Sequence, residues 1–443
     1  MKKIICVLLI SLFSVIGVFG LAACAVSHKP ESSKPTDVVQ NPEIDTDNTE
    51  FIDTTNSENT IHVYDLSNPT SISLLLNTDV DSLYQVKIGA SIVQPNQYVF
   101  ADKTLTIPTT VLGTDHYTDR KISVKYTQNA DAVTFSFIFA DKIIKTCDDF
   151  QNINDHLNWY YVLGADLDFQ DFGNFNPIGN DGQKHGNYIG RDFTGKLIGA
   201  GHTISNLTAN ADEMTDEEIY TEHNVSAGAA PYETLRACFA VFLRNLGTIE
   251  DVCFKDCTVK NSYGTIMGMV AAVNEGTINN VLVDGGKVIG GDIWLDYNCF
   301  IAGFVGTNGN GCTISNCIST VTQIKADNNG TLARAFVGKT WGEIKNCYAC
   351  NTGITFKDLK TGAINNQGII GSASAPSLCE ETGYGFGYIA TESGTRKGSF
   401  VESYIISKDD MIADVRIYNM FDTEYWNIVD GEIPSLVVRY TAQ

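Results

Sequence analysis

The chain has 443 residues, and 43% of them are hydrophobic, which is enough to bury a sizeable core in two or three domains. Asp and Glu number 52 against 30 Lys and Arg, so the formal net charge is −22 at pH 7. Because this excess of acid repels phosphate backbones, we expect no nucleic-acid partner. A solvated acidic surface on an exported protein is the simplest interpretation of the charge.

The N-terminus has the plan of a secretory signal. Lys2 and Lys3 precede an apolar stretch, residues 4–20, and small residues then lead to Cys24. The segment is too short and wrongly flanked for an ordinary membrane-spanning helix. Its LAAC ending resembles the lipobox of bacterial lipoproteins. This resemblance implies removal of residues 1–23, lipidation of Cys24 and anchoring on the outer side of the bacterial cell membrane. A plain secretory signal with a chance cysteine is the alternative.

The next two segments are predicted to be a tether and a small domain. Residues 24–58 are rich in Ser, Thr, Pro, Asp and Asn, and their few hydrophobic residues cannot offset the entropy of ordering them, so we expect disorder. Residues 59–145 contain short runs with alternating apolar residues, such as VTFSFIF at 133–139, separated by turn clusters. Such strands predict a small β-sandwich. Their order resembles X2-type immunoglobulin-like modules, which implies a spacer or weak binding module.

Residues 146–443 repeat one short phrase, as GHTISNL, GTIEDV, GTINNV, TISNC and GEIKNC. Its isoleucines are Ile204, Ile249, Ile278, Ile314 and Ile344, spaced 45, 29, 36 and 30 residues apart. A repeat this short cannot bury its own apolar face, so neighbouring repeats must stack. The varied spacing predicts a parallel β-helix, a solenoid whose loops vary in length while its strands stay in register.

The order of the phrases in this region resembles a family of surface proteins. YVLGADLDFQDFGNFNPIGN begins at residue 161, the G-T-I-x-N units follow, and TEYWNIVDGEIPSLVVRY ends at residue 440. Together they resemble bacterial surface proteins with GLUG motifs on a pectate-lyase-like right-handed β-helix. The resemblance implies adhesion or surface display, with no established catalytic residues. The predicted fold class is therefore all-β, with a small immunoglobulin-like β-sandwich followed by a right-handed parallel β-helix.

Two positions beyond the shared isoleucine, every repeat carries an amide or a carboxylate. This column consists of Asn206, Asp251, Asn280, Asn316 and Asn346. Stacked amides can hydrogen-bond along a rod, and Asn tolerates the left-handed backbone of a sharp corner. We predict a structural ladder, and the alternative is a row of amides that contacts a ligand. One position further, Leu, Val and Cys interchange, which predicts a buried column.

Cysteine usage favours packing over a metal centre. The chain has 12 cysteines, and Cys347 with Cys350 forms its one C-x-x-C pattern. Zinc needs about four convergent ligands, and no second pair with matching spacing accompanies this one. We expect mainly reduced, buried thiols. Cys253 with Cys257, or Cys347 with Cys350, are the pairs near enough in sequence for a local disulfide.

Three acidic clusters are candidate sites. Asp166 and Asp168 lie on one face of a predicted strand and could chelate a structural calcium, although a structural role is the alternative. The run ADEMTDEEIYTE lies in the longest gap between repeats, where solenoids tend to carry functional loops. A third cluster mixes aromatic and acidic side chains, as sugar sites do. The candidate ligand-binding residues of the last two clusters are Asp212, Asp216, Glu217, Asp292, Trp294, Asp296 and Tyr297.

These observations predict a non-catalytic, lipid-anchored surface protein that uses its β-helix for adhesion. Its expected partners are the membrane, through the lipid, and glycans or host or cell-surface proteins, and no cofactor is expected beyond the calcium. A polysaccharide lyase or glycosidase, and a purely structural envelope protein, are the alternatives. An enzyme should show clustered carboxylates with Arg or Lys in a groove, whereas an adhesin should show acids that are scattered or confined to loops.

Overall fold

The computed structural model describes residues 49–52, 61–182, 184–185, 188–214, 238–262, 264, 266–290, 299–326, 331–349, 354–357, 364–365, 370–372, 412 and 415–442. These residues belong to one compact unit, Ile44–Gln443. They are mostly strand, which confirms the predicted all-β class. Within the described ranges, no helix combines the length and apolar character that crossing a bilayer requires. Cys24 and the predicted signal lie outside them.

The first nine strands form two sheets around one apolar cluster. The strands are β1 Thr49–Ile52, β2 His62–Asp65, β3 Ser71–Leu75, β4 Gln85–Ile88, β5 Ser91–Val93, β6 Val99–Ala101, β7 Thr104–Ile107, β8 Tyr117–Lys125 and β9 Val133–Ala140. One sheet has the order β1-β3-β7-β6 and the other β2-β9-β8-β4-β5. Alternation decides which side chains face inward: in both β4 and β7 every second residue is buried. A short helix, α1 Thr109–Leu112, and a 3₁₀ helix, Pro95–Gln97, lie between strands.

Strand β1 lies inside the segment that was predicted to be a disordered tether. Thr49–Ile52 pairs in parallel with β3, from Ser71 to Leu74. An unpaired edge of β3 would expose a row of backbone donors and acceptors, and β1 satisfies them. This pairing is a long-range effect that the polar composition of residues 24–58 does not reveal.

From residue 142 onward, short strands pair mostly in parallel. They are β10 Lys142–Ile144, β11 Tyr160–Leu163, β12 Leu167–Asp168, β13 Lys184–His185, β14 Tyr188–Ile189, β15 Lys196–Ile198, β16 Thr203–Ser205, β17 Thr208–Asn210, β18 Cys238–Phe239, β19 Phe242–Asn245, β20 Thr248–Lys255, β21 Thr258–Asn261, β22 Ile266–Met267, β23 Ala271–Asn274, β24 Thr277–Asp284, β25 Lys287–Gly290, β26 Cys299–Ala302, β27 Val305–Asn308, β28 Thr313–Ser315, β29 Ile318–Ser319, β30 Gln323–Ala326, β31 Thr331–Arg334, β32 Val337–Thr340, β33 Glu343–Lys345, β34 Tyr348–Ala349, β35 Ile354–Lys357, β36 Ile364–Asn365 and β37 Ile370–Ser372. We call this region the stack.

Among the described residues, the stack contains four sheets of parallel strands, and successive repeats contribute successive strands to each sheet. Their orders are β10-β11-β15-β20-β24-β28-β33, β17-β21-β25-β30-β35, β18-β22-β26-β31 and β19-β23-β27-β32-β37. The register aligns Ile249 with Ile278, Ile278 with Ile314, and Ile314 with Ile344. These four side chains are at most 3% exposed. Burial stabilises each of them by roughly 1.5–3 kcal/mol relative to exposure.

A helix covers the start of the apolar interior. Helix α2, Cys147–Gln151, begins with a capping box in which Thr146 and Asp149 bond each other's backbone N–H groups. The cap fixes the direction of the helix, and Phe150 then packs against Phe169 and Phe175. Beyond it lies a 3₁₀ helix, Asn152–Asp155.

At the other end of the sequence, residues 415–442 lie against the outside of the stack, and we call them the C-terminal segment. It contains a 3₁₀ helix, Val415–Tyr418, and the antiparallel strands β38 Trp426–Asn427 and β39 Ser435–Leu436. Trp426 and Phe421 pack on an apolar row formed by outward side chains of β20, β24, β29 and β34. The row consists of Cys253, Leu282, Ile318 and Tyr348. The segment therefore covers apolar surface that the stack would otherwise expose.

Candidate functional site

A groove of about 380 Å³ lies where the β2-β9-β8-β4-β5 sheet, the stack and the C-terminal segment meet. It is lined by Ile61, Asp119, Ser136, Phe137, Ile138, Lys196, Ile198, Glu250, Asp251, Asn279, Glu424, Tyr425 and Arg439. Ligand sites occur preferentially at such junctions between separately formed elements.

The alternation of side chains along each strand points some side chains of the stack into the groove. Ile249 and Ile278 point into the core, so their neighbours Glu250 and Asn279 point outward. The parallel register places Ile198, Glu250 and Asn279 in one row across β15, β20 and β24. The floor of the groove is thus a row of side chains from three successive strands.

Backbone hydrogen bonds hold the C-terminal segment at the edge of this row. The Arg439 N–H donates to the Ala200 carbonyl at 2.8 Å, and the Ile61 N–H donates to the Arg439 carbonyl at 3.0 Å. Val63 of β2 and Ile138 of β9 pack in one buried cluster with Ile198 and Ala200 of the stack. All three walls of the groove therefore contact one another directly.

Ion pairs occupy both basic side chains of the groove. The Lys196 Nζ lies 2.6 Å from the Glu250 Oε1. The Arg439 guanidinium pairs with the Oδ2 of Asp251, and both side chains are buried. The same guanidinium lies 3.4 Å from Glu424 Oε1. Asn280 Nδ2 donates to the other oxygen of Asp251, Oδ1, at 2.9 Å. Burial raises the pKa of Asp251 to about 6, and the positive charge of Arg439 only partly opposes this effect.

One aromatic ring and two carboxylates of the groove stay accessible. The Arg439 guanidinium stacks on the Tyr425 ring, 4.2 Å from its centroid, and the ring is only partly buried. The Glu424 side chain is 49% exposed and that of Asp119 is 58% exposed. The tyrosine ring can stack on the apolar face of a sugar ring, and the carboxylates can accept hydrogen bonds from the polar substituents of the sugar.

Asp212, a candidate from the acidic run, binds a neighbouring turn of the chain. Its carboxylate accepts from the Ser262 N–H at 3.0 Å and from the Ser262 hydroxyl at 2.7 Å, and it pairs with Lys260 at 3.2 Å. Burial opposes ionisation, but these bonds outweigh it and lower the pKa of Asp212. Asp216 and Glu217 of the same run lie outside the described residues.

A second polar pocket, also of about 380 Å³, lies beside the start of this run. It is lined by Asn174, Asn176, Asn180, Asp181, Gly182, Glu213 and Met214. It lacks an aromatic side chain among these lining residues, and Asp181 pairs with Arg191 at 3.3 Å. Asp292, Trp294, Asp296 and Tyr297, the third predicted cluster, lie outside the described residues.

The two acids proposed for calcium each have protein donors. Asp166 accepts from the Thr203 N–H at 2.9 Å and lies 2.9 Å from the His202 Nδ1. Asp168 accepts from Asn206 Nδ2 at 2.8 Å and from the Gln170 N–H at 3.0 Å, and these bonds lower its pKa. In the part of the chain that the structure describes, no group of three His, Cys, Asp or Glu side chains is arranged to hold a metal ion. The calcium ion stays a prediction, and the contacts suit the structural alternative.

The predicted column of amides forms a corner of the stack. Asp251, Asn280, Asn316 and Asn346 all have positive φ, between 50° and 57°. Asn280 donates to Asp251 at 2.9 Å, and Asn346 donates to Asn316 at 2.8 Å. A left-handed backbone and a bond along the column are the two properties that the sequence predicted for Asn here.

Asn206 differs, because the structure places it at another corner. Strand β16 pairs with the second half of β20, where Ile204 lies beside Phe254, whereas β15 pairs with the first half, where Leu197 lies beside Ile249. Ile204 is therefore not aligned with Ile249, although the repeated phrase predicted that it would be. Ala200, with a φ of 51°, lies at the start of the amide corner instead. The cause is β15, a strand with no isoleucine phrase of its own, which already pairs with the first half of β20.

A second ladder was missed by the sequence analysis. Asn245 Nδ2 donates to Asn274 Oδ1 at 2.8 Å, Asn274 Nδ2 donates to Asn308 Oδ1 at 2.8 Å, and Asn308 Nδ2 donates to Thr340 Oγ1 at 3.2 Å. All four side chains are buried. The pattern N-x-G-T-I at 245 and 274 was the available indication.

Seven thiols within the described ranges are free and mostly buried. They are Cys147, Cys238, Cys253, Cys257, Cys312, Cys317 and Cys347. Cys253 and Cys257, considered for a local disulfide, are both free, and burial raises the pKa of Cys257 to about 12. A thiol that stays protonated is a poor nucleophile, so Cys253 and Cys257 act as small apolar side chains. Cys350 lies outside the described residues.

The groove also depends on residues that the sequence analysis did not select, namely Glu424, Tyr425 and Arg439. The available indication was Asp251, the one carboxylate in the amide column, because a buried carboxylate requires a cation. No protein-family model matches the chain, and comparison with curated proteins and with solved structures likewise gives no match, so functional inference depends on the chain's own residues.

Proposed function

We propose that this chain is a bacterial cell-surface lipoprotein that binds glycans without cleaving them. In this proposal Cys24 carries the lipid, residues 59–145 form an immunoglobulin-like β-sandwich, and residues 146–443 form a right-handed parallel β-helix of GLUG-type repeats. The shared core of the first two sheets supports the sandwich. The four sheets with in-register parallel strands support the helix. The anchor rests on the LAAC sequence alone.

The groove is the observation that supports glycan binding most strongly. It combines a partly exposed tyrosine ring with carboxylate, amide and hydroxyl groups, and three separate parts of the chain hold its walls in place. A site built from packed elements can bind a sugar without first ordering a loop, and this saves conformational entropy.

A polysaccharide lyase or glycosidase is the second candidate, because the groove contains clustered carboxylates beside Arg and Lys. The raised pKa of Asp251 is typical of a general acid. Acid catalysis requires a carboxyl group that exchanges its proton with the substrate. Both oxygens of Asp251 are instead bonded within the protein, to Asn280 and Arg439, and the carboxylate is buried. Non-catalytic binding therefore fits the groove better than hydrolysis does.

A glycan array tests this proposal when it is paired with an assay for released reducing sugar. The full chain, solubilised in detergent, is applied to the array and then incubated with every glycan that it binds. We expect binding and no release of sugar. Release would establish the enzyme instead, and an absence of binding to every glycan would leave a purely structural envelope role.

A further inference from the structure

We infer that the groove prefers glycans with free amino groups, such as chains of glucosamine, over neutral or acidic glycans. This inference rests on the proposed function and adds the chemical class of the ligand and the side chains that select it.

The groove has an excess of negative charge. Its four carboxylates outnumber its two bases. The carboxylates are Asp119, Glu250, Asp251 and Glu424, and the bases are Lys196 and Arg439. Lys196 neutralises Glu250, and Arg439 neutralises the buried Asp251. The excess negative charge therefore belongs to the two accessible carboxylates.

Acidic sugars find no suitable partner among these lining residues. A uronate or sulfate group needs an Arg or Lys that is available for pairing, and both bases already bind carboxylates. Binding an anion would require breaking either the Lys196 pair with Glu250 or the Arg439 contact with buried Asp251. Either change would leave a carboxylate of the protein without its cation. The formal charge of −22 on the whole chain adds a long-range repulsion of polyanions.

An amino sugar can use both accessible features together. Glu424 and the Tyr425 ring contact the same guanidinium, that of Arg439, so the carboxylate and the ring lie within the span of one side chain. A sugar ring stacked on Tyr425 can direct an ammonium group to Glu424 as a charge-assisted hydrogen bond. Asp119 pairs with Lys121 at 3.5 Å, but both side chains are more than half exposed, so the pair is weak and can yield to a ligand.

The test uses calorimetric titration of the full chain in detergent with three hexasaccharides, made of glucosamine, N-acetylglucosamine and galacturonate. We expect the glucosamine chain to bind at least tenfold tighter than the other two. Glu424→Gln should reduce that preference several-fold. Tyr425→Ala should weaken the binding of the glucosamine and N-acetylglucosamine chains alike, since stacking does not depend on the amino group. Thermal melting of each variant establishes that it is folded.

Asp79→Asn is the matched control, because it removes one negative charge from a side chain that is 92% exposed and outside the groove. It should leave the preference unchanged. Equal effects of Asp79→Asn and Glu424→Gln would attribute the preference to overall charge and overturn the inference. Tighter binding of a neutral or acidic chain would also overturn it while leaving the proposed function intact. Failure to bind any glycan on the array would refute both.

Discussion

Two columns of asparagine run along two different sheets of the stack, and their environments differ. In the column of Asn245, Asn274, Asn308 and Thr340, the side chains are buried and bond one another in an unbroken series. In the corner column, the backbone is left-handed, and two members bond the C-terminal segment: Asp251 binds Arg439, and Asn280 accepts from Trp426 Nε1 at 3.2 Å.

Asparagine thus serves two different physical purposes in the two columns. In the first column, asparagine supplies a donor and an acceptor where water is excluded. In the second, it supplies tolerance of positive φ and a polar outer surface to which another part of the chain can bind. In the second column, Asp251 stands where the other repeats have Asn. Its buried charge holds Arg439 and thereby one wall of the groove.

Among the variants considered, Arg439→Met should lower the free energy of unfolding the most. It tests whether the corner column depends on the C-terminal segment. It leaves Asp251 as a buried carboxylate without a cation, so the free energy of unfolding should fall by about 3–5 kcal/mol. Urea denaturation at pH 7 measures the change. The double variant Arg439→Met/Asp251→Asn should recover a substantial part of the loss. An unchanged midpoint in the single variant would show that the pair does not stabilise the fold.

Asn274→Ala tests the buried column. It removes the acceptor of Asn245 and the donor to Asn308, and both partners stay buried, so we expect a loss of about 2–4 kcal/mol. Equilibrium denaturation followed by tryptophan fluorescence measures it. A loss below about 0.5 kcal/mol is usual for surface substitutions. Such a result would mean that the hydrogen bonds of the ladder do not stabilise the fold.

The two columns should differ in how their contributions to stability depend on pH. The first contains no titratable side chain, whereas the corner column contains Asp251. The pKa of Asp251 is raised to about 6 in the folded protein, from the ordinary carboxyl value of 3.8. The folded state thus holds this proton more tightly than the unfolded state does. Its contribution to stability is fully present below about pH 4 and is lost as the pH rises through 6.

Asp251→Asn removes this titration and serves as the reference. The unfolding free energy of the native chain minus that of the variant should decrease between pH 4 and 6, by at most about 3 kcal/mol. Melting temperatures across this interval measure the difference. A difference that is constant with pH, or one that grows with rising pH, would contradict the raised pKa.

The smallest effect distinguishes backbone from side chain at the corner. Asn316 has a φ of 53°, so Asn316→Ala should cost about 1–2 kcal/mol from the strained left-handed backbone. Asn316→Gly removes the same side-chain bonds without that strain, so it should be the more stable of the two. If the alanine variant is as stable as the glycine variant, the left-handed backbone is not what selects asparagine here.

Local patterns predicted the strands, the buried isoleucines and the left-handed corner, because each depends on residues close in sequence. The alignment of Asn206 was wrong because β15 occupies its place without carrying the phrase. The groove could not be predicted, because Arg439 meets Asp251 across 188 residues, and no periodic pattern connects them. The pairing of β1 with β3 was missed for the same reason.

Mass spectrometry of a recovered ligand distinguishes binding without cleavage from catalysis. The full chain is incubated with a glycan that it binds, the complex is isolated, and the chain length of the released glycan is measured. We expect a glycan of unchanged length, since the carboxylates beside Arg439 and Lys196 are held in ion pairs. Shortened glycan from the native chain, and intact glycan from Asp251→Asn, would contradict it and establish a catalytic groove.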